Sequence, residues 1–181
     1  MITLEPAKTM DIPRVWLLYQ RAFPAGERKP FSRIVSMARE GRTDLWIIRR
    51  DGRFAGFAST VNSPDLVLLD YFAVAGRLRG KGVGSAALGA LLECYAPRGA
   101  LVEIESTCIP SRNAEERENR KRFYVNCGMT PLGTEVDLFG IRMELLGCRC
   151  MLNFAEYKDF YLKYYTKSAE KHVNPIKEEQ V

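Results

Sequence analysis

A short run of glycines and cations separates a strand-like segment from a helix-like segment in this 181-residue sequence. The run, Arg79 to Gly84, has glycine at every second position from Gly80, and it follows an apolar stretch from Leu66 to Val74. Glycine leaves no side chain between a backbone N–H and a ligand, and the start of a helix adds a positive dipole end. The pattern therefore predicts a phosphate or pyrophosphate site at a strand-loop-helix junction.

The rest of the sequence alternates between extended and helical patterns. In order, the predicted elements are strand 2–4, helices 11–22 and 31–40, strands 44–50, 53–61 and 66–74, helix 83–95, strand 101–106, helix 113–128, strands 130–138 and 141–150, and helix 153–171. Asp11 and Asn113 are expected to cap the helices that they begin. We predict a mixed α/β fold whose mostly antiparallel sheet has six to seven strands flanked by helices. One domain covers residues 1–152, and a C-terminal helix and tail, 153–181, pack on it.

Composition narrows the class of protein. The net charge of +5 is compatible with nucleic-acid binding. Many cations alternate with acids, however, as in 115–122, which favours an ordinary basic surface with a pocket for an anionic cofactor. The five cysteines form no Cys-x-x-Cys pair and there is one histidine, so we expect reduced thiols and no metal site. The sequence begins without a signal-peptide pattern and has no apolar run long enough for a membrane span. These features predict a cytoplasmic protein without nucleic-acid or membrane partners.

The glycine run can be compared with three kinds of phosphate-binding loop. A Walker loop fails because Ser85 follows Gly84 with no lysine between them, and the glycine spacing does not fit a dinucleotide fingerprint. The pattern Arg79-x-x-Gly82-x-Gly84 instead resembles the acyl-CoA pyrophosphate signature of the GNAT superfamily of N-acetyltransferases. A later segment, Arg122 to Met129, is similar to that family's next signature, a helix that ends in Phe-Tyr before a glycine. The resemblance extends over most of the chain and implies a sheet splayed between its fourth and fifth strands.

The resemblance also implies roles for the residues at matching positions. Main-chain groups of the loop would hold the pyrophosphate of acetyl-CoA, and main-chain groups at the end of the fourth strand would pair with its pantetheine arm and polarise the thioester carbonyl. The cofactor-binding residues implied are Phe72, Ala73, Val74, Arg79, Gly80, Lys81, Gly82, Val83, Gly84 and Ser85. Tyr124 matches the position of a general acid for the departing thiolate, although an aromatic packing role beside Phe123 is the alternative.

The candidates for the general base are carboxylates. Glu103 and Glu105 are two residues apart on a predicted strand, so both side chains point to one face. Two carboxylates on a partly buried face raise at least one pKa, which suits a proton acceptor for an incoming amine. The residues do not distinguish between the two, and a solvated strand face is the alternative. Asp70 is a weaker candidate.

Two further segments bear on the acceptor. In the family, the loop from Phe23 to Pro30 builds the acceptor wall, where Glu27 is expected to bind a positively charged amine or to pair with Arg28 or Lys29. Six aromatic residues occur at helical spacing between Phe154 and Tyr165, which indicates core packing, a homodimer contact or a cover for the acceptor site.

The resemblance implies an N-acetyltransferase that moves the acetyl group of acetyl-CoA to a primary amine by direct attack. The acceptor is a small molecule or a peptide. The alternatives are a non-catalytic acyl-CoA-binding regulatory protein and a transferase that uses another acyl-CoA donor.

Overall fold

The computed structural model describes residues 1–176. They divide into two compact units, the first made of residues 1–62 and 68–96 and the second of residues 63–67 and the chain from Pro97 onward. The predicted tail residues 177–181 lie outside the described part of the chain.

The first unit contains the strand-loop-helix junction. Its elements are β1 (Ile2–Pro6), α1 (Ile12–Ala22), α2 (Phe31–Arg39), β2 (Thr43–Arg50), β3 (Arg53–Asn62), most of β4 (Leu66–Val74) and α3 (Val83–Cys94). The strands are hydrogen-bonded in the order β1-β2-β3-β4, with β2 antiparallel to both of its neighbours. Consecutive strand residues point to opposite faces, so Ile47 packs in a cluster with Val15 of α1 and Ile34 of α2, whereas Ile48 packs with Val83 of α3.

The α-helices and β-strands that follow in the second unit are β5 (Gly99–Glu105), α4 (Ala114–Asn126), β6 (Thr130–Leu138), β7 (Ile141–Cys148), α5 (Phe154–Phe160) and β8 (Val173–Pro175). The first two residues of β4 belong to this unit, where β4 runs parallel to β5. β7 pairs antiparallel with β5 and β6, and β8 pairs antiparallel with β6. The chain thus has the predicted mixed α/β fold, with an eight-stranded mixed sheet, one strand more than the upper expectation.

The C-terminal segment differs from its prediction. A single helix over 153–171 is wrong: α5 ends at Phe160, a π-helical turn covers Tyr161–Tyr165, and a 3-10 segment covers Lys167–His172. The next residues form β8 instead of a frayed tail. Asn153 caps α5 as part of a capping box, because its side chain accepts from the Glu156 N–H while Glu156 accepts from the Asn153 N–H.

Asp11 and Asn113 occupy the N-cap positions of α1 and α4, as predicted, but neither side chain caps its helix. The Asp11 side chain does not cap α1 but accepts from the Lys8 N–H and pairs with Arg49. The Asn113 side chain does not cap α4, since its amide donates to Glu105. None of the helices within residues 1–176 is long and apolar enough to cross a membrane.

Candidate active site

The glycine loop adopts a backbone conformation that its glycines make possible. Gly80 and Gly82 have φ angles of 68° and 72°, in the left-handed region that other residues rarely enter. Gly82 is the residue that precedes the first turn of α3, and no heavy atom lies within 4 Å of a Cβ built on either glycine. Arg79 and Lys81 are exposed. The loop therefore presents its backbone, flanked by two cations, to solvent.

The first turn of α3 is anchored to the hydrophobic core. Val83 is 2% exposed and packs with Ile48, Ala55 and Val74, while Ser85 in the same turn is exposed. The first hydrogen bond of the helix runs from Ala86 to the Gly82 carbonyl, so the N–H groups of residues 83–85 precede the intrahelical ladder. An anion at this end of α3 would meet donors and the positive end of the helix dipole.

The end of β4 leads directly into this loop. Phe72 is half-buried, and Ala73 and Val74 are buried. The Arg79 Nε–H donates to the Val74 carbonyl at 3.4 Å, which ties the loop to the strand. Gly56 on β3 approaches so closely that an added Cβ would lie 2.2 Å from the Ala73 carbonyl oxygen. The position of this strand end is thus fixed by backbone contact.

The 23–30 loop is pinned from several sides within the first unit. Glu27 ends a short 3-10 turn, and its carbonyl accepts from the Tyr71 hydroxyl at 3.0 Å. Lys29 Nζ lies 2.6 and 2.8 Å from the two oxygens of Asp70. The Tyr19 hydroxyl donates to the Lys29 carbonyl at 3.0 Å. Asp70, the weaker candidate base, is therefore engaged in an ion pair.

Five aromatic rings support this loop, an arrangement that the sequence analysis missed. They are Tyr19, Phe23, Phe31, Phe57 and Tyr71, with Tyr19 in the centre and ring centroids 4.9 to 6.5 Å apart. Burial, and then the negative charge of Asp70, raise the pKa of Tyr71 far above its ordinary value, and burial raises that of Tyr19. Both phenols therefore remain protonated donors at neutral pH. The available signal was the four-residue spacing of Tyr19, in α1, and Phe23, which directly follows that helix.

Glu103 on β5 is paired with the aromatic C-terminal segment. The hydroxyl of Tyr157, which is fully buried, donates to Glu103 Oε1 at 2.6 Å. The Tyr157 ring packs at a tilt against Tyr161, the first residue of the π-helical turn, with centroids 5.8 Å apart. The carboxylate is half-buried on its strand. The hydrogen bond from a fully buried donor orients the Glu103 carboxylate.

Glu105 has a different set of partners. Its carboxylate lies 2.7 Å from Arg117 Nη2 and 3.7 Å from Arg120 Nη1, and it accepts from the Asn113 amide at 3.3 Å. The Arg117 side chain is 12% exposed and also donates to the Ser106 carbonyl. Glu105 therefore anchors α4 to the end of β5. The two glutamates share a strand face, but one binds a phenol and the other binds guanidinium groups.

Tyr124 lies near the C-terminal end of α4, where it is 8% exposed and its ring is 5.1 Å from that of Phe123. Burial raises the pKa of Tyr124 to about 12. The phenol is therefore fully protonated at neutral pH and available as a hydrogen-bond donor.

A buried ion pair connects α4 with β7. Glu144 is 6% exposed and accepts from Lys121 Nζ, the Thr107 N–H and the Thr107 hydroxyl. Burial alone would raise the pKa of Glu144, but these hydrogen bonds outweigh it and hold the pKa below its ordinary value. Ligand atoms of Cys108, Glu135 and Glu144 lie within 4.8 Å of one another. Arg142 neutralises Glu135 as Lys121 neutralises Glu144, so this donor set does not suit a metal cation.

Several solved structures share this fold. A protein assigned to the GNAT acetyltransferases from Bacteroides thetaiotaomicron has a TM-score of 0.75 at 20% identity, covering 90% of this chain and 98% of that one. Ard1 from Thermoplasma volcanium has a TM-score of 0.63 at 20% identity, with coverage of 84% and 99%. The ribosomal-protein-S18-alanine N-acetyltransferase from Escherichia coli has a TM-score of 0.60 at 20% identity, with coverage of 84% and 96%.

No curated protein sequence is detectably similar to this chain. The family model of the acetyltransferase (GNAT) family matches residues 12–129, more than half of the chain. The matched span includes the glycine loop, β5 and the Phe123-Tyr124 end of α4. The chain belongs to the GNAT family of acetyltransferases.

Proposed function

We propose that this protein transfers the acetyl group of acetyl-CoA to a primary amine by direct attack of the amine on the thioester. The observation that carries the proposal is the backbone of the loop, with Gly80 and Gly82 in the left-handed region directly before α3. The family uses acetyl-CoA as a co-substrate. A loop of this conformation, followed by free helical N–H groups, suits the pyrophosphate of that donor.

The donor is proposed to bind along main-chain groups. Residues 79–85 hold the pyrophosphate, with Arg79 and Lys81 adding charge. Phe72, Ala73 and Val74 offer backbone groups to the pantetheine amides, and one of their N–H groups stabilises the oxyanion that forms at the thioester carbonyl. The contact between Gly56 and Ala73 supports this proposal, because it fixes the strand end that must meet the donor.

We assign the proton acceptor to Glu103 in preference to Glu105. Glu105 faces Arg117 and Arg120, and their guanidinium groups occupy its oxygens. The Tyr157 hydroxyl donates to one oxygen of Glu103 and fixes the orientation of the carboxylate. As the amine forms its bond to the acetyl carbon and the carbon–sulfur bond breaks, Glu103 takes the amine proton directly or through water. Glu27 is proposed to attract the protonated amine, which loses one proton to water before the neutral amine attacks.

Tyr124 is proposed to act on the leaving sulfur. Its pKa of about 12 lies above the thiol pKa of about 8.5, so complete transfer of the proton to the thiolate is uphill. A hydrogen bond from the phenol to the sulfur stabilises the developing charge without that cost. Tyr124 keeps its proton, and the departing CoA thiolate takes one from water.

The acceptor is proposed to be an amine on a small molecule or a peptide. Proteins with this fold include one named for the alanine of ribosomal protein S18 and a chimera named as a spermidine N-acetyltransferase. The fold thus serves both kinds of amine.

The donor site is tested by replacing Gly82 with valine. Valine at this position has to adopt the left-handed backbone conformation, which costs about 1–2 kcal/mol of folding free energy. It also places a branched side chain over the loop. Gly41, with a φ of 71° and open space around it, gives a matched control in which valine meets the same backbone strain elsewhere. Calorimetry should show acetyl-CoA binding lost in Gly82→Val and retained in Gly41→Val. Equal binding by both folded variants would exclude the loop as the donor site.

A further inference from the structure

A cavity of about 590 Å³ lies beside the glycine loop within the first unit. Its volume is in the range of small-molecule pockets. Ten residues line it, of which four are arginines and none is acidic. The lining residues that matter here are Arg14, Leu17 and Arg21 of α1, Phe54 of β3, and Arg77 and Arg79 before α3.

The charge of the four arginines is not balanced by neighbouring acids. Among residues 1–176, no carboxylate oxygen lies within 4 Å of any of their guanidinium groups. Elsewhere in the same unit, Arg49 is bridged to both Glu5 and Asp11. Unbalanced positive charge around a concave surface raises the local concentration of anions.

The arrangement of the side chains combines charge with an apolar surface. Arg14 and Arg21 are two helical turns apart and lie on the same side of α1 as Leu17, which is 44% exposed. Arg77 donates to the Phe54 carbonyl at 3.4 Å and Arg79 donates to a β4 carbonyl, so both are directed by backbone contacts. Phe54 and Leu17 add an apolar wall to the same cavity.

We propose that this cavity binds a phosphate-bearing small molecule that also has an apolar or aromatic part. Guanidinium groups bind phosphate oxygens through paired hydrogen bonds, and the apolar wall suits an aromatic ring such as a nucleobase. Two sources supply this chemistry. One is the 3′-phosphoadenosine end of acetyl-CoA, which rests on the proposed function. The other is a separate phosphorylated molecule, which does not.

The probe is adenosine 3′,5′-bisphosphate, and its binding is measured by calorimetry. The wild-type protein should bind it, and Arg14→Ala/Arg21→Ala should weaken binding by about tenfold or more, as expected for the loss of charge-assisted hydrogen bonds. Arg33→Ala/Arg39→Ala on α2 removes the same charge from exposed positions outside the cavity and should change binding much less. Absence of bisphosphate binding by the wild type, or equal weakening in both double variants, overturns the proposal.

Acetyl-CoA then distinguishes the two sources. If it displaces the bisphosphate, and Arg14→Ala/Arg21→Ala weakens acetyl-CoA more than its 3′-dephospho form, the cavity holds the phosphate end of the donor. If the bisphosphate binds to protein already saturated with acetyl-CoA, and the same double variant abolishes that binding, the cavity serves a separate ligand. Both outcomes support the site. Bisphosphate binding without any acetyl-CoA binding would refute the proposed function and leave this site standing.

Discussion

Replacing Gly56 with alanine tests how tightly the backbone of β4 is held in the first unit. The new Cβ would lie 2.2 Å from the Ala73 carbonyl oxygen and 3.1 Å from the Val74 Cα. Both are backbone atoms, so the clash is relieved only by moving a strand. Overpacking of this kind costs about 1–3 kcal/mol, which corresponds to roughly 2–12 °C of melting temperature for a protein of this size.

The same substitution at Gly89 provides the control. Gly89 lies inside α3, and no heavy atom lies within 4 Å of an added Cβ, so alanine should stabilise the helix by about 0.5–1 kcal/mol. Thermal unfolding followed by circular dichroism should place Gly56→Ala below the wild type and Gly89→Ala at or above it. At a temperature where it is folded, Gly56→Ala should also bind acetyl-CoA more weakly. A Gly56→Ala protein that melts with the wild type would refute the reasoning.

Three further substitutions test the second unit. Tyr124→Phe should lower kcat and leave the calorimetric affinity for acetyl-CoA nearly unchanged; an unchanged kcat would remove Tyr124 from the reaction. Tyr157→Phe should lower kcat and also reduce the free energy of unfolding by about 1–3 kcal/mol, since it removes a hydrogen bond to the carboxylate of Glu103. Steady-state rates measure kcat and urea unfolding measures the free energy of unfolding. If neither quantity changes, Tyr157 does not position Glu103. Glu144 has a lowered pKa, so its contribution to stability is present above the unfolded value of about 4.3 and disappears as the pH falls through the folded value. Glu144→Gln should therefore melt lower than the wild type at pH 7, and the difference should shrink in acid; a constant difference would refute it.

Features set by neighbouring residues were predictable from the sequence. Asp51 and Gly52 both have positive φ angles, as a two-residue hairpin between β2 and β3 requires. The glycines at 80 and 82 take the left-handed conformation that the phosphate loop demands, and Gly128 ends α4 in the same region. In each case a local steric rule leaves few alternatives to glycine.

Features that depend on distant partners were not predictable. Asn113 lies in a sequence that is typical of a helix cap, but its side-chain amide donates a hydrogen bond to Glu105, eight residues away. Tyr157 and Glu103 are 54 residues apart, and no sequence pattern relates them. The aromatic spacing of the C-terminal segment fits one helix, yet the chain changes to a π-helical turn at Tyr161. Periodicity records which side chains are buried, not where the backbone changes its winding.

The central claim is tested most directly by the release of free thiol from acetyl-CoA in the presence of amines. The panel contains amino acids, polyamines, aminoglycosides and short peptides, and the Gly82→Val protein is the control. The account predicts thiol release with at least one class of amine by the wild type, and none above background by Gly82→Val. Acetyl-CoA binding without thiol release across the panel would contradict the proposed transfer and favour a non-catalytic acyl-CoA-binding regulatory protein.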